Sequence, residues 1–304
     1  MPELPTVGIV ILNYQSPSDT LECIESLKHC IYPNKDILVV DNGSGGETVN
    51  ILRRNSVAFQ MIETGKNLGY TGGVNVGLKY FLEKHVDYIL ILNNDTIVEP
   101  DFMDHLVAAA ELDSDVAGCC GTILCDHNRD EIWYAGGKLI PWRGLAVHTD
   151  KHKKFIRQNY TKPIQVSFIT GCMILLKTKY LEKIGLEDER LFMYLDDIEL
   201  SARISNSGYK MYYVPGAIIY HKVLGERENP LKLYYSVRNR FLLINTAFSG
   251  INKVIANIYF SMVITSKIIY WRIFNPLFFK AAIYGIKDYF SKRFYEGRGI
   301  KYFY

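Results

Sequence analysis

A chain of 304 residues, 48% hydrophobic and 22% charged, is ample for a real core and suggests one large domain with an appendage, or two domains. The net charge of +3 hides an asymmetry: residues after His221 carry 14 Lys and Arg against 4 Asp and Glu, leaving 21 against 28 up to that point. An acidic body with a basic, aromatic tail points the tail toward an anionic partner such as a membrane surface, and no nucleic-acid partner is expected. The six cysteines (Cys23, Cys30, Cys119, Cys120, Cys125, Cys172) form no Cys-x-x-Cys pair or zinc-like set and read as reduced core thiols, and "MPELPTVGIVIL" has neither the basic flank nor the apolar length of a signal peptide.

The continuous β-branched run 7–12 predicts a strand buried on both faces. Ser16, Pro17 and Asp19 predict a helix start with a capping box, and Leu21, Ile24 and Leu27 give its apolar stripe. Strands are expected at 36–41, 58–63 and 87–92, with helices over 47–54 and from the glycine-rich stretch 67–84. This β-α-β-α-β-α-β order predicts a parallel sheet with helices on both faces and ligands beyond the carboxyl ends of its strands. A helix over 101–113, strands at 116–124 and within 166–177, a helix after the latter, a helix from Asp196 ended by Gly208, and one or two short strands ending in His221 follow. The polar stretch 126–163 reads as a mobile substrate loop.

Three strand ends are polar: Asn13-Tyr14, Asp41-Asn42-Gly43-Ser44 and Asn93-Asn94-Asp95. One such end is ordinary turn chemistry; three on one edge are harder to dismiss. A carboxylate at the last of them suits a divalent metal on a diphosphate, since Mg²⁺ or Mn²⁺ takes hard oxygen ligands and leaves much of its shell to substrate phosphates. Asp196 can cap its helix with Glu199 as capping-box partner, which leaves Asp197 free to take a proton. His221, paired with Asp95, is a fair Mn²⁺ ligand.

In order, "VVILNY"-like, "VVDNGS", "NLGYTGGVNVG", "LNNDT", "FMYLDDIELSARISNSGY" and "VPGAIIYH" resemble a family 2 glycosyltransferase of GT-A fold over about residues 5–240, and "YYSVRNRFLLI" resembles the segment that follows in its rhamnosyltransferase-like branch. The resemblance implies an α/β fold, Rossmann-like and mostly parallel, with a nucleotide-sugar half (about 1–100), an acceptor half (about 101–225) and a C-terminal helical segment (226–304). It implies that Asn13, Tyr14, Asp41 and Asn42 hold the donor's base and ribose, and that Asn67, Gly69, Gly73 and Asn75 lie beside the nucleotide. Asn93 and Asn94 would contact the nucleotide, Asp95 would survive as the carboxylate of the metal motif, and His221 would be the distal ligand of Mg²⁺ or Mn²⁺. Asp197 would be the base, Asp196 its partner, and Arg238-Asn239 the pair that helps the departing diphosphate. Asn93 stands where the family commonly has Asp, and Asp196 where it commonly has Glu.

The implied reaction is an inverting transfer from a nucleotide-diphosphate sugar, dTDP-rhamnose or a UDP-sugar, to a glycan or lipid-linked acceptor, with a homo-oligomer left open. The competing readings are another nucleotide enzyme, nucleotidyltransferase or nicotinamide oxidoreductase, and a non-catalytic nucleotide-sugar-binding module. The oxidoreductase lacks its glycine fingerprint at "ILNYQSPSD", and the nucleotidyltransferase its N-terminal basic triphosphate loop. In the tail, Ile251, Val254, Ile255, Ile258 and Met262 recur at helical spacing, but Lys253 and Lys267 bound only 13 residues, too few to span a bilayer. Aromatic and basic residues mixed through the rest predict a helix lying in an anionic interface, hence a peripheral protein on the cytoplasmic face.

Overall fold

A computed structural model describes residues 4–55, 59–222 and 228–299. Four strands alternate with helices: β1 (Val7–Asn13), α1 (Pro17–Lys28), β2 (Lys35–Asp41), α2 (Gly46–Arg54), β3 (Gln60–Glu63), α3 (Gly69–Glu83) and β4 (Tyr88–Asn93). β1 pairs in parallel with β2 and β4, and β2 with β3. The β-branched runs are buried because helices cover both faces: β1, β2 and β4 contribute Ile9, Val10, Val39, Leu90 and their neighbours to one core. Asn13 lies opposite Asp41, and Leu12 opposite Asn93, so the polar ends fall on one edge.

The second half adds β5 (Thr96–Val98), α4 (Phe102–Ala110), β6 (Val116–Cys125), β7 (Asn128–Tyr134), β8 (Gly137–Ile140), β9 (Leu145–His148), β10 (Ile164–Val166), β11 (Met173–Lys177), α5 (Thr178–Ile184), α6 (Asp196–Asn206) and β12 (Lys210–His221). The sheet runs β10-β12-β6-β11-β4-β1-β2-β3, with β11 antiparallel to β4 and β12 parallel to β6. The stretch 126–163 is therefore not a mobile loop. It holds β7, paired with β6, and the β8–β9 hairpin. Its polarity reflects strands with a solvent face. β12 is one strand: Pro215 sits in a register shift between Val214 and Ile218, where no ladder N–H is required.

Two helix starts differ from expectation. Ser16 precedes α1 and Pro17 opens it, but the Ser16 hydroxyl donates to the Asp19 carboxylate at 2.5 Å instead of capping a backbone N–H. Asp196 is the first residue of α6, not its cap; Leu195 precedes it in the left-handed region, and Glu199 pairs with Arg203 at 2.7 Å.

The C-terminal part consists of α7 (Pro230–Ala247), α8 (Gly250–Phe274) and α9 (Pro276–Phe290). Tyr234, Tyr235, Phe241, Phe260, Ile264, Ala281 and Ala282 form a second core. Leu243 and Ala247 of α7 pack into the first, so α7 joins both. The expected boundary at residues 225–226 lies outside the described residues. α8 passes through both Lys253 and Lys267, and its 25 residues, of mean hydropathy 1.3 over their most apolar window, are long and apolar enough to cross a membrane by length and composition.

Candidate active site

The carboxyl edge of β1, β2 and β4 opens into a cleft of about 650 Å³. Of the residues singled out from sequence, Tyr14, Asn42, Asn67, Asn93, Asn94 and Asp95 line it; Tyr70, Met193, Tyr194 and Leu231 complete its wall without having been expected. Tyr70 is the second residue of α3, within the glycine-rich helix start whose glycines were singled out instead. Its hydroxyl donates to the Gly171 carbonyl at 2.9 Å, and burial, followed by the charge of Asp196, holds its pKa well above the ordinary phenol value.

Asn13, Asp41, Gly69, Gly73 and Asn75 stand behind that wall. Asn13 is fully buried; it donates to Asp41 at 2.7 Å and accepts from Thr20, which in turn accepts from Asn94 at 3.0 Å. Asp41 also accepts from the Ser44 N–H. Asn75 is spent on Glu187, donating to its carbonyl and accepting from its N–H, both at 3.0 Å. Gly69 has φ +79°, and a Cβ there would stand 2.4 Å from the Phe192 carbonyl oxygen; at Gly73 it would meet Leu12 at 2.4 Å. These five shape the cleft through packing and hydrogen bonds, not by facing it.

Asp95 and His221 come together as expected, from the turn after β4 and the end of β12. The imidazole Nε2 lies 3.3 Å from Asp95 Oδ2. β5 carries the register, with Thr96 paired to His221, and the Lys222 N–H donates to the Asp95 carbonyl. Trp133 packs edge-on against the imidazole at 4.8 Å. Among the described residues, buried Asp95 Oδ1 and His221 Nδ1 have no hydrogen-bond partner. Such orphaned atoms are costly unless a ligand meets them. A carboxylate and an imidazole 3.3 Å apart suit two donors on one ion at about 2.0–2.3 Å each, with Mn²⁺ better matched to nitrogen than Mg²⁺.

The Asp196–Asp197 pair begins α6 behind Tyr70. Burial, and then the charge of Asp197, push Asp196 up to about 7. Burial also raises Asp197, but the N–H groups of Gly171 (3.3 Å) and Ile198 (2.9 Å) favour its ionised form. Asp196 is the more buried of the two. Glu187, not singled out from sequence, joins this acidic pocket: burial and Asp196 hold it well above the carboxylate range, and its Oε2 has no partner among the described residues.

Arg238 and Asn239 lie outside the cleft lining and form a backbone clamp. Both are fully buried. The guanidinium donates to the carbonyls of Leu191 (2.8 Å), Arg190 (3.2 Å) and Tyr295 (2.7 Å), and Asn239 to those of Leu191, Met193 and Tyr194. The segment they grip holds Phe192, Tyr194 and Leu195 at φ of 65°, 68° and 66°, an uncommon backbone for such residues. It leads directly into Asp196–Asp197. A further cluster that spacing did not reveal, Cys125, His127 and Glu131, brings three ligand atoms within 4.8 Å at the β6–β7 turn, with Glu131 also paired to His152 at 2.8 Å.

Comparison with known proteins gives this geometry a context. Residues 8–185 match the family described as glycosyl transferase family 2. The chain is 25% identical to the dTDP-rhamnosyl transferase RfbF of Shigella flexneri over 77% of its length and 78% of the relative's. It is 27% identical to the N-acetylglucosaminyl-diphospho-decaprenol L-rhamnosyltransferase of Mycobacterium tuberculosis over 75% and 78%. Among solved structures, GalNAc-T7 with UDP, GalNAc and Mn²⁺ superposes with a TM-score of 0.63 at 17% identity, covering 78% of this chain and 48% of that one, so the chain spans about half of its length. The mannosyltransferase PcManGT of Pyrobaculum calidifontis, in complex with GDP-Man and Mn²⁺, superposes at 0.55 and 15% identity, covering 95% and 76%. These likenesses establish a GT-A-like fold. The chain belongs to glycosyl transferase family 2 and is a glycosyltransferase acting with a nucleotide-sugar donor.

Proposed function

We propose an inverting transfer of a sugar from dTDP-rhamnose, or failing that a UDP-sugar, to a hydroxyl of a lipid-linked or glycan acceptor at the cytoplasmic face of a membrane. The observation that carries this reading is the pairing of Asp95 and His221 at 3.3 Å on the cleft edge, each with an orphaned buried atom. Bound there, a divalent ion would neutralise the charge that develops on the departing diphosphate. Asn93 and Asn94 offer amides to ribose and phosphate without repelling them. Asp197, whose ionised form two backbone N–H groups favour, takes the proton from the acceptor hydroxyl. That oxygen attacks the anomeric carbon from the face opposite the diphosphate, the bond to the diphosphate breaks, and the nucleotide diphosphate leaves with its electron pair. Relatives that are named rhamnosyltransferases, one for a diphospho-decaprenol acceptor, support the donor and acceptor classes.

The exposed side of α8 supports the membrane. Ile251, Val254, Ile258, Met262, Ile269 and Ile273 are each more than half exposed, opposite Ala256, Phe260 and Ile264 on the body. A donor screen for nucleotide-diphosphate release by the purified full-length chain tests the reading. Release from dTDP-rhamnose above every UDP- and GDP-sugar supports it; release from none contradicts it.

A further inference from the structure

Arg143 and Arg240 have no acidic partner. Arg143 ends the short helical turn between β8 and β9, Arg240 lies on α7, and among the described residues no carboxylate is within ion-pair distance of either. The Arg240 Nη2 donates to the Arg143 backbone carbonyl at 2.7 Å, which ties α7 to the turn. Among the described residues, the buried Nε of each has no hydrogen-bond partner. Aromatic faces account for where they lie: Arg240 is over Phe260 at 4.3 Å, and Arg143 over Tyr259 at 5.7 Å. A ring face takes the charge but does not satisfy the in-plane Nε–H of either guanidinium. Burial, with a further contribution from Arg143, lowers the Arg240 pKa to about 10, the sign of a desolvated cation beside another.

Arg240 lines a cleft of about 180 Å³ between α7, α8 and the β8–β9 hairpin. Its walls are mostly apolar, with Leu145, Leu233, Phe260 and Ile264, and Lys267 adds a third cation while Glu228 is its one acidic member. Leu195 forms part of the wall and is followed directly by Asp196 and Asp197. The hairpin is fixed against α7, since a Cβ on Gly144 would stand 2.4 Å from Ile244, and Trp142 packs on Tyr259 of α8.

We infer that this cleft binds the phosphate head of a lipid-linked acceptor, its lining cations Arg240 and Lys267 taking the phosphate oxygens while the first carbons of the lipid lie on the apolar wall. The inference rests on the acceptor class proposed above and deepens it. Guanidinium N–H groups fit phosphate oxygens, and the apolar wall excludes water from the contact. The volume holds a head group and a few carbons, so the rest of the chain would run out along exposed α8. A sugar on the far side of that phosphate would then point past Leu195 toward Asp197.

Farnesyl diphosphate is the probe, titrated calorimetrically in chelator into the full-length chain, with farnesol and inorganic diphosphate alongside. Nucleotide binding, as dTDP with Mn²⁺, is measured separately. The expected result is that farnesyl diphosphate binds more tightly than either fragment, and that R240Q and K267Q each weaken it about tenfold or more, with dTDP binding unchanged. Farnesyl diphosphate binding equal to wild type in both variants overturns the inference, as does inorganic diphosphate binding as tightly as the lipid. Should R240Q lose dTDP binding as well through misfolding, K267Q, at an exposed side chain of α8, decides. Absent dTDP binding in the wild type would count against the donor site, while the farnesyl diphosphate pattern still tests the cleft.

Discussion

Asp95 and His221 meet because a three-residue strand, β5, pairs with the last residues of β12 and so joins the turn after β4 to the end of the sheet. From residue types alone, either would be a turn aspartate or a lone strand-end histidine; the ordered motifs made them a pair, and their separation was not legible. From the residues alone Asp197 was legible as a base by elimination, on the premise that Asp196 caps the helix, and the family resemblance implied the same assignment. That premise is wrong, since Leu195 precedes the helix, yet Asp197 remains the better candidate because two N–H groups favour its charge. Asp197→Asn should lower kcat by about 10²–10⁴ while dTDP affinity holds; a larger loss from Asp196→Asn would move the role to its neighbour. The base must be ionised, and its pKa is raised, so kcat should fall as pH drops through that raised value. Asp196 has a folded pKa of about 7 above an ordinary 3.8, so the folded state holds its proton more tightly. Its favourable contribution is full below about pH 4 and is lost as pH rises through 7. The melting temperature of the wild type relative to Asp196→Asn should therefore decline between pH 5 and 8; a constant gap would contradict the assignment.

Elements with one buried environment were legible. The parallel strands are apolar on both faces, and their order dictates the crossover topology. Elements whose identity depends on partners were not. β7, β8 and β9 have solvent faces and read as loop, and whether one or two strands lead to His221 stayed open because Pro215 sits in a shift in register within one strand. Lys253 and Lys267 read as the ends of an apolar run, but both lie inside α8. The Arg238–Asn239 pair was visible in sequence, and its task was not, because a guanidinium that grips three carbonyls looks the same there as one that grips a phosphate. Arg238→Ala leaves buried carbonyls unmet and releases a left-handed segment, so it should cost about 3 kcal/mol or more of unfolding free energy, measured by urea titration. Unchanged stability with only a higher donor KM would restore direct contact with the diphosphate.

At the scale of the whole molecule, the charge asymmetry and the helices agree. Lys253, Lys267, Arg272, Lys280 and Lys287 lie on α8 and α9, whose outer side carries Ile273, Phe274 and Leu277, each over 60% exposed. Removing everything after residue 226 would also remove α7, whose Leu243 and Ala247 belong to the catalytic core, so surface substitution tests the membrane role more cleanly than truncation. The full-length chain should sediment with anionic liposomes, less at high salt, and Ile273→Glu with Leu277→Glu should reduce that binding without changing dTDP affinity. Equal sedimentation of the variant would show that this face is not the anchor.

We propose that the carboxyl edge of the sheet is a metal-dependent nucleotide-sugar site built on Asp95 and His221. The most direct measurement is the electron paramagnetic resonance signal of free Mn²⁺ titrated with protein in the presence of dTDP. Wild type should quench the six-line signal at a stoichiometry of about one ion per chain, and Asp95→Ala and His221→Ala should each weaken binding about tenfold or more. Quenching by both variants equal to that of the wild type would contradict the claim.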